Sequence, residues 1–232
     1  LQVVTILKKQ SLYVVQNEEF ITNTFLQYLK KFIKMINPIL YNVNLIGLSG
    51  QTIFHNPSKK YSLQLGSGKE ISKQIKIPVI SNFRKKDLLN GGQGAPIGSF
   101  YHKSILNKIN KKACIINLGG IANITFSNKK KLISYDMGPA NALLDDLSSY
   151  FYKQNFDKNG YHASQGILIN DIFHKFNQDI YFKKKYPKSL DREYFNSFFK
   201  ELIQYNANDA IHTASMMTIF GIISGLKLLK NK

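Results

Sequence analysis

Three polar turns that contain glycine follow apolar runs in the stretch 82–141 of this chain. They are Gly91-Gly92-Gln93-Gly94, Leu118-Gly119-Gly120 and Asp136-Met137-Gly138. Each has an Asp, Asn, Gln or Arg side chain within a few residues. Apolar strands that end in glycine turns bring backbone N–H groups and carboxylates to one edge of a sheet, where α/β proteins bind ligands. The stretch therefore predicts a site for a polar ligand.

Each of these turns also has a purely structural interpretation. A Gly-Gly pair after a strand is commonly a turn and nothing more. An Asp shortly before Gly-Pro, such as Asp136, commonly caps a turn or a helix. We favour the functional interpretation because the polar residues of all three turns follow no amphipathic pattern.

The first part of the chain alternates predicted strands and helices. The predicted order is two short strands within 1–15, a helix from Asn17 to the Asn37-Pro38 pair, a strand over 43–47 that closes in a turn at 49–52, a strand over 61–66, a helix over 69–76 and a strand over 77–80. This alternation is typical of the α/β class.

The second part combines a group of strands with a run of helices. Its predicted elements are a helix over 98–110, strands over 114–118, 122–126 and 132–135 with a turn at 127–129, a helix that starts at Pro139 with Tyr150 on its buried face, helices near 167–176 and 192–205, and a last helix over 208–229. Proline is favoured at a helix start. The last helix is apolar nearly all round, which predicts burial. A composition shift at 107–112 marks the predicted domain boundary.

The net charge of +18 invites a nucleic-acid interpretation, which the distribution of the charges does not favour. The basic residues are almost all Lys and are scattered along the chain, while Arg occurs only at Arg84 and Arg192. Arg is the better reader of bases and phosphates. The lysine runs 129–131 and 183–185 are interpreted as solvated loops. We therefore predict that nucleic acid is not a partner.

The apolar segments bear on membrane insertion, and the single cysteine bears on the cellular compartment. The chain has no apolar run of about eighteen residues, so no membrane span is predicted. Its start at Leu1 lacks the basic residues and cleavage site of a signal peptide, and we expect it to lie inside a longer gene product. Cys114 stands in an apolar run, where a buried, reduced thiol is usual, and this favours the cytoplasm.

The order and spacing of the motifs resemble the anhydro-N-acetylmuramic acid kinases, a family of the sugar kinase/Hsp70/actin superfamily. The matching pieces are Gly50-Gln51-Thr52, Leu63-Gln64-Leu65-Gly66, Asn82-Phe83-Arg84 with Asp87, Gly91 to Pro96, Asn117 to Thr125, Asp136 to Asn141, Phe156 to Gly160, Pro187-Lys188-Ser189 and Arg192 to Asn196. The resemblance implies an α/β fold of two ribonuclease H-like lobes. We expect both lobes to be incomplete, with 1–110 from the N-terminal lobe and 111–232 from the C-terminal lobe.

The resemblance implies a specific reaction and specific residues for it. The family uses ATP to phosphorylate O6 of 1,6-anhydro-N-acetylmuramic acid while water opens the anhydro bridge, a step of peptidoglycan recycling in the cytoplasm. Asp87 matches the base for that water, and a helix cap is the alternative for this residue. Hydrogen bonds to the sugar are expected from Gln51, Arg84, Gln93, Gly94, Asn123, Asp136 and Asn141. Arg84 could orient Asp87 or bind the lactyl carboxylate, with a surface ion pair as the alternative.

ATP and Mg²⁺ follow from the same resemblance. Gly119 and Gly120 match a turn whose N–H groups contact phosphate oxygens. Mg²⁺ is expected on ATP oxygens and water, with Asp136 as a candidate ligand through water. The five histidines show no metal spacing and are interpreted as structural or surface residues. The expected partners are the sugar and ATP, and the resemblance also allows a homodimer.

The chain departs from the family pattern at several positions. The N-terminal turn that grips the nucleotide phosphates and the glycine-rich C-terminal segment that borders the adenosine have no match here. Leu48-Ser49 replaces a Ser-His pair, Gly66-Ser67-Gly68 replaces Gly-Asp-Pro, and Met137 and Ala140 replace a Thr and a Gly. These departures keep an alternative open, namely a truncated, catalytically inactive relic that still binds the sugar.

Overall fold

The computed structural model describes residues 2–40, 43–109, 113–128 and 131–229, which form a mixed α/β structure. Its internal contacts divide the chain into two compact units, Leu1–Gly94 and Ala95–Lys232. The predicted lobes, 1–110 and 111–232, are a different division, which rests on the family resemblance and stays a prediction. Part of the predicted boundary, 110–112, lies outside the described residues.

The first unit begins with one long helix, α1 (Gln2–Leu40). The predicted strands within 1–15 are therefore wrong, as are the predicted helix start at Asn17 and the end at Pro38. The stretch 2–16 contains neither Gly nor Pro, so nothing in it breaks the helical hydrogen-bond ladder. Pro38 stands in the last turn of α1, where it removes only one hydrogen bond of that ladder.

The face of α1 that packs on the unit does not include all of its large apolar side chains. Leu26 and Thr22 are buried, whereas Phe20 and Tyr28 are each 66% exposed. Thr22 Oγ1 accepts a hydrogen bond from the Ser67 N–H at 2.9 Å. A backbone contact of this kind fixes the rotation of the helix, and it cannot be seen in the periodicity of apolar residues.

Four short strands in two sheets follow α1. Strand β1 (Ile46–Gly47) pairs in parallel with β4 (Val79–Ile80), and β2 (Gln51–Asn56) pairs antiparallel with β3 (Tyr61–Leu65). The structure confirms β1, β3 and β4 within the predicted ranges. Strand β2 was not predicted, because Gln51 and Thr52 were assigned to a turn. They are paired with Leu65 and Gln64 instead.

Two helices complete the first unit. Helix α2 (Gly68–Ile75) confirms the prediction for 69–76, and its first turn is capped by the Ser67 hydroxyl, which accepts from the Glu70 N–H. Such a cap satisfies one of the free N–H groups at a helix start. Helix α3 (Phe83–Leu89) was not predicted. It carries Arg84 and Asp87.

The second unit is built around a three-stranded antiparallel sheet. After α4 (Ser99–Leu106) come β5 (Cys114–Leu118), β6 (Ile121–Asn128) and β7 (Lys131–Pro139), paired in that order. The helix and the three strands confirm the predicted elements, but the predicted turn at Asp136-Met137-Gly138 is wrong, because β7 continues through these residues in its pairing with β6. The predicted turn at 127–129 is partly wrong, since Ser127 and Asn128 belong to β6, while residues 129 and 130 lie outside the described residues.

Five α-helices follow the sheet within the described residues 140–229. They are α5 (Asn141–Tyr152), α6 (Asn170–Asn177), α7 (Ile180–Lys183), α8 (Asn196–Leu202) and α9 (Ala207–Lys227). Pro139 is the last residue of β7 rather than the first of a helix, and Ala140 precedes α5. Tyr150 is exposed, not buried. The prediction for 192–205 is confirmed in part, because Arg192–Phe195 forms a 3₁₀ turn before α8.

Two apolar cores hold the second unit together. One lies among α5, α6, α8 and α9 and includes the fully buried Phe176 and Met217. The other lies between the sheet and α9, where the Tyr135 hydroxyl donates to the Gly225 C=O at 2.9 Å. Cys114 is only partly buried beside this second core.

Helix α9 is not buried all round, although its sequence predicted that. Ile219 and Ile223 are each 47% exposed, whereas Met217 on another side of the helix is fully buried. In the described part of the chain, no helix combines the length and the apolar character needed to span a bilayer. The lysine run 183–185 is exposed as predicted, but only Lys184 and Lys185 lie in a loop, because Lys183 is the last residue of α7.

Candidate functional site

In the first unit, two side chains of α3 bind the backbone of Gly94. Arg84 and Asp87 stand three residues apart, a spacing that places them on the same side of a helix. Arg84 Nη1 donates to the Gly94 C=O at 2.7 Å, and Asp87 Oδ2 accepts from the Gly94 N–H at 2.7 Å. The loop 90–94 is thereby folded back against the helix.

This loop can approach α3 because glycines occupy its close contacts. Gly94 is buried with φ +63°, and a Cβ there would lie 2.9 Å from Leu88 Cγ. A Cβ at Gly92 would overlap the Asp87 carboxylate. The sequence Gly91 to Gly94 was correctly predicted to be a turn. Gly92 and Gly94 cannot carry a side chain there, because it would meet Asp87 or Leu88 of α3.

The environment of Asp87 suits a carboxylate that binds a water molecule. The residue lies inside α3 with its side chain exposed, so the alternative of a helix cap is wrong. One oxygen, Oδ2, is fixed by the Gly94 N–H. For the other, Oδ1, we find no hydrogen-bond partner among the described residues. A fixed carboxylate with one available oxygen can accept a proton from a bound water.

The other predicted residues of the first unit are Gln51 and Gln93. Gln93 is partly buried in the same loop, between Gly92 and Gly94. Gln51 is exposed at the start of β2, where it pairs with Leu65. The structure therefore groups Arg84, Asp87, Gln93 and Gly94 in one segment and places Gln51 on a different element.

In the second unit, polar residues form a row across the sheet. Asn117, Asn123 and Asp136 occupy paired positions of β5, β6 and β7. Residues directly opposite each other in an antiparallel sheet share a face. Asn123 and Asp136 are thus neighbours, as a common site requires. Asn117 belongs to the same row and was not among the predicted site residues, although it stands in the motif that begins the stretch 117–125.

Asp136 also ties β7 to the segment that follows α7. The residue is only 6% exposed, and Oδ2 accepts from the Leu190 N–H at 2.8 Å. Its backbone C=O accepts from the Tyr181 hydroxyl at 2.6 Å, and its N–H donates to the Lys188 C=O at 3.2 Å. This structural role was not predicted. It leaves the predicted contact with sugar or Mg²⁺ as a prediction.

Lys188 is a buried cation near this carboxylate. The residue is 6% exposed. Its Nζ donates to the Tyr181 C=O at 3.2 Å and lies 4.2 Å from the centre of the Tyr181 ring. Burial, together with repulsion from Lys184, lowers the pKa of Lys188 to about 8, while the charge of Asp136 acts in the opposite direction. The sequence offered one signal for this residue, the matching piece Pro187-Lys188-Ser189.

The turn between β5 and β6 is fastened to the start of α5. The Gly119 C=O accepts from the Asn141 N–H at 3.0 Å, and the Gly120 C=O accepts from the N–H groups of Ala140 and Ala142 at 3.1 and 3.2 Å. The Asn141 side chain donates to the Leu118 C=O at 2.8 Å. The carbonyl groups of the turn therefore satisfy the amides of the helix start.

The N–H groups of the same turn are available to a ligand. We find no hydrogen bond from either glycine N–H within the part of the chain that the structure describes. Gly120 is exposed and Gly119 partly so. A Cβ at Gly119 would be in ordinary contact with Asn117 Nδ2 at 3.4 Å, and a Cβ at Gly120 would lie 3.3 Å from the Ala142 Cβ. Adjacent backbone N–H groups of this kind can bind anionic oxygens, which fits the predicted phosphate contact.

An open cleft of about 470 Å³ adjoins Asn141. Its lining also includes Leu144, Asp145, Phe156, Asp157, Gly160 and Ser215. Burial and the neighbouring Asp146 carboxylate raise the pKa of Asp145, against the opposing charge of Arg192. The Asp157 oxygens accept from the N–H groups of His162 and Ala163 at 3.0 and 2.9 Å. The cleft thus combines carboxyl groups with an aromatic ring.

The described residues do not form a metal site made of protein ligands alone. Across residues 2–40, 43–109, 113–128 and 131–229, no group of three or more His, Cys, Asp or Glu side chains is placed to hold a metal ion. Asp136 has one oxygen bonded to the Leu190 N–H and is almost fully buried. Its surroundings do not fit a direct Mg²⁺ ligand.

The fold is mixed α/β, and each unit carries polar turns next to a carboxylate. Comparison with known proteins gives the family. The model of the family described as anhydro-N-acetylmuramic acid kinase matches residues 2–230. The chain therefore belongs to the anhydro-N-acetylmuramic acid kinase family.

Individual relatives agree with this assignment. A protein of Legionella pneumophila (strain Paris) named anhydro-N-acetylmuramic acid kinase is 43% identical over 160 residues, which cover 66% of this chain and 43% of the relative. A protein of the same name from Hydrogenovibrio crunogenus is 30% identical over 217 residues, or 91% of this chain and 59% of the relative. The chain spans about half the length of these curated relatives.

Proposed function

We propose that this chain acts in an ATP-dependent kinase that converts 1,6-anhydro-N-acetylmuramic acid into N-acetylmuramic acid 6-phosphate during peptidoglycan recycling in the cytoplasm. Membership of the family supports the proposal. The structural observation that carries it is the Asp87 carboxylate, one oxygen of which is fixed by the Gly94 N–H at 2.7 Å. The proposal includes the two ribonuclease H-like lobes, 1–110 and 111–232, that the family resemblance implies.

In the proposed reaction Asp87 removes a proton from a water molecule. The water oxygen bonds to C1 of the sugar as the bond between C1 and O6 breaks. O6 then bonds to the γ-phosphorus of ATP, and ADP leaves with the electrons of the broken P–O bond. General base catalysis requires a carboxylate within hydrogen-bond reach of the water. The contact with Gly94 supports this role because it holds the carboxylate in one orientation.

Sugar recognition is assigned to hydrogen-bonding side chains and one cation. Gln51, Gln93, Gly94, Asn123 and Asn141 offer neutral donors and acceptors for hydroxyl groups. Arg84 is the candidate for the lactyl carboxylate, because a planar guanidinium group can bind a carboxylate through two parallel N–H donors. Asp136 supports the site by fixing β7 and by accepting a hydrogen bond from the sugar.

ATP is the proposed phosphoryl donor. The available N–H groups of Gly119 and Gly120 support binding of its phosphate oxygens. The cleft beside Asn141 offers room for the rest of the nucleotide. Mg²⁺ would arrive on the phosphates and keep several water ligands. Its contribution is to neutralise charge on the transferred group.

The proposal is tested with purified chain, ATP and 1,6-anhydro-N-acetylmuramic acid. Formation of the 6-phosphate sugar, followed by mass spectrometry, is the expected result. The matched control is Asp87→Asn, which keeps a hydrogen-bond acceptor for the Gly94 N–H and removes the base. A folded wild-type chain that yields no product would contradict the proposal for this chain.

The comparisons do not favour the inactive relic, since the relatives are named as kinases. The fully buried Met137 and Ala140 occupy positions where the family pattern has a Thr and a Gly. Neither residue can supply a hydroxyl to a ligand. Calorimetric titration separates the two functions, because a relic would bind the sugar without binding ATP.

A further inference from the structure

His102 is held in one tautomer by a chain of hydrogen bonds with a fixed direction. The Ser134 hydroxyl donates to the Ile124 C=O at 2.8 Å. A hydroxyl has a single proton, so Ser134 can only accept from the Thr125 hydroxyl, 3.0 Å away. Thr125 has then used its own proton. It must accept from His102 Nδ1, which lies 2.8 Å from the Thr125 oxygen.

The chain of bonds determines which imidazole nitrogen is available. With the proton on Nδ1, a neutral His102 carries a lone pair on Nε2. Thr125 is fully buried, so the anchored side of the ring is shielded from water. We find no partner for Nε2 among the described residues. A Cβ at Gly98 would lie 3.6 Å from Nε2 and would meet only this ring, so the glycine leaves that side of the ring uncovered.

The ring is placed beside the polar row of the sheet. Thr125 and Asn123 are two residues apart on β6, so their side chains project from the same face at a separation of roughly 7 Å along the strand. The row Asn117, Asn123, Asp136 therefore lies next to the pair Thr125–Ser134, on which His102 sits. Sequence interpretation assigned His102 a structural or surface role, since nothing in its spacing shows the contact with Thr125.

We propose that His102 Nε2 is a fixed hydrogen-bond acceptor for a neutral donor of the sugar, either a hydroxyl or the N–H of its acetamido group. The inference rests on the proposed function for the identity of the ligand. The assignment of the Nδ1–H tautomer does not depend on the proposed function. His102 is a positioning and specificity residue here, and takes no part in proton transfer. Thr125 and Ser134 select the tautomer and thereby make the ring an acceptor instead of a donor.

Two substitutions of His102 separate this role from simple anchoring of α4. In His102→Asn the side-chain amide can still donate to Thr125 from the position of Nδ1, but nothing replaces Nε2. In His102→Gln the amide reaches the position of Nε2, and the donor to Thr125 is lost. If His102 only anchors α4, the Gln variant should be destabilised and the Asn variant should behave as the wild type. The proposal predicts weaker sugar binding in the Asn variant as well.

The experiment measures the Kd for 1,6-anhydro-N-acetylmuramic acid by calorimetry and the thermal midpoint of each variant. We expect His102→Asn to keep the wild-type midpoint and to weaken binding roughly 3- to 10-fold, the usual effect of one hydrogen bond. We expect His102→Gln to lower the midpoint by roughly 2–4 °C, because the buried Thr125 oxygen loses its donor. Nitrogen NMR of the neutral wild-type ring should show protonated Nδ1 and unprotonated Nε2.

Each outcome distinguishes this inference from the proposed function. Wild-type affinity in His102→Asn, in a chain that does bind the sugar, would overturn the inference and leave the proposed function intact. A neutral ring protonated on Nε2 would overturn the assigned tautomer, whatever the chain binds. A wild-type chain that binds no sugar would overturn the proposed function, and with it the identity of the ligand for His102.

Discussion

Arg84 and Asp87 bind the same residue from opposite sides of its peptide backbone: Arg84 Nη1 donates to the Gly94 C=O and Asp87 Oδ2 accepts from the Gly94 N–H, each at 2.7 Å. A charged hydrogen bond at each side is stronger than a neutral one. The orientation of the Asp87 carboxylate is therefore coupled to the conformation of the glycine loop. A substitution that moves the glycine loop should therefore also change the orientation of the Asp87 carboxylate.

Asp87→Asn should abolish most turnover while sugar binding survives. The amide keeps an acceptor for the Gly94 N–H, so the loop should stay in place, but it cannot take a proton from water. We expect kcat to fall by roughly 10²–10⁴, the usual share of general base catalysis. Steady-state kinetics and calorimetric binding of the sugar measure the two effects. Near wild-type turnover would show that Asp87 is not the base.

Asp136 should respond differently to two substitutions, because it combines a structural bond with a proposed ligand contact. Asp136→Asn keeps an acceptor for the Leu190 N–H, and we expect it to raise KM at least as much as it lowers kcat. Asp136→Ala leaves that buried N–H without its acceptor, at a cost of roughly 1–3 kcal/mol of unfolding free energy. Chemical denaturation and kinetics report the two effects separately. An Asp136→Asn variant with wild-type KM would limit Asp136 to its structural role.

Gly94 and Gly91 form a matched pair for testing the loop. Both have positive φ, +63° and +84°, but a Cβ at Gly91 would meet no atom within 4 Å. Gly91→Ala should therefore cost only backbone strain, roughly 1–2 kcal/mol. Gly94→Ala adds a contact of 2.9 Å with Leu88 Cγ, which we expect to cost roughly 1–3 kcal/mol more. It should also lower kcat, since it displaces the partner of Asp87.

Denaturant unfolding of both glycine variants provides the measurement, with turnover as the second readout. Equal stability of the two would show that the loop can move away from Leu88. Full activity in a folded Gly94→Ala variant would show that Asp87 does not depend on the loop for its orientation.

Local sequence patterns predicted the three-stranded sheet and most helices of the second unit, because apolar alternation and capping residues lie within the elements themselves. Helix α1 was missed at its start because Val3, Val4 and Ile6 favour strands by propensity, whereas tertiary context can override such a preference. Strand β2 was missed because the glycine at position 50 indicated a turn that extends through Thr52. Only the pairing with β3 shows that Gln51 and Thr52 belong to a strand.

The candidate site was predictable where its residues are close in sequence. Arg84, Asp87 and Gly94 fall within one short stretch, and the glycines in it indicated a tight turn. The contacts of Asp136 with Leu190 and of His102 with Thr125 join residues that are 54 and 23 positions apart. No local pattern encodes such pairs, so the burial of Asp136 and the tautomer of His102 required the structure.

The buried Lys188 should make stability increase with pH in the alkaline range. Its pKa is about 8 in the folded chain and 10.5 in its usual range. Between these values the unfolded chain binds more protons than the folded chain, so the unfolding free energy rises with pH. Below pH 8 Lys188 is protonated in both the folded and the unfolded chain, so the folded chain bears the full free-energy cost of burying its charge. The limiting slope for one group is about 1.4 kcal/mol per pH unit.

The prediction is best measured between pH 8 and 10 by chemical denaturation. Burial raises the pKa values of Tyr135 and Tyr181, so their contribution lowers stability only above the usual tyrosine range. Lys188→Met removes the titrating group and keeps an unbranched side chain of similar length. The difference in unfolding free energy between wild type and this variant should change by on the order of 3 kcal/mol between about pH 8 and the usual lysine pKa. A difference that stays constant over this range would show that Lys188 is charged in the folded chain throughout.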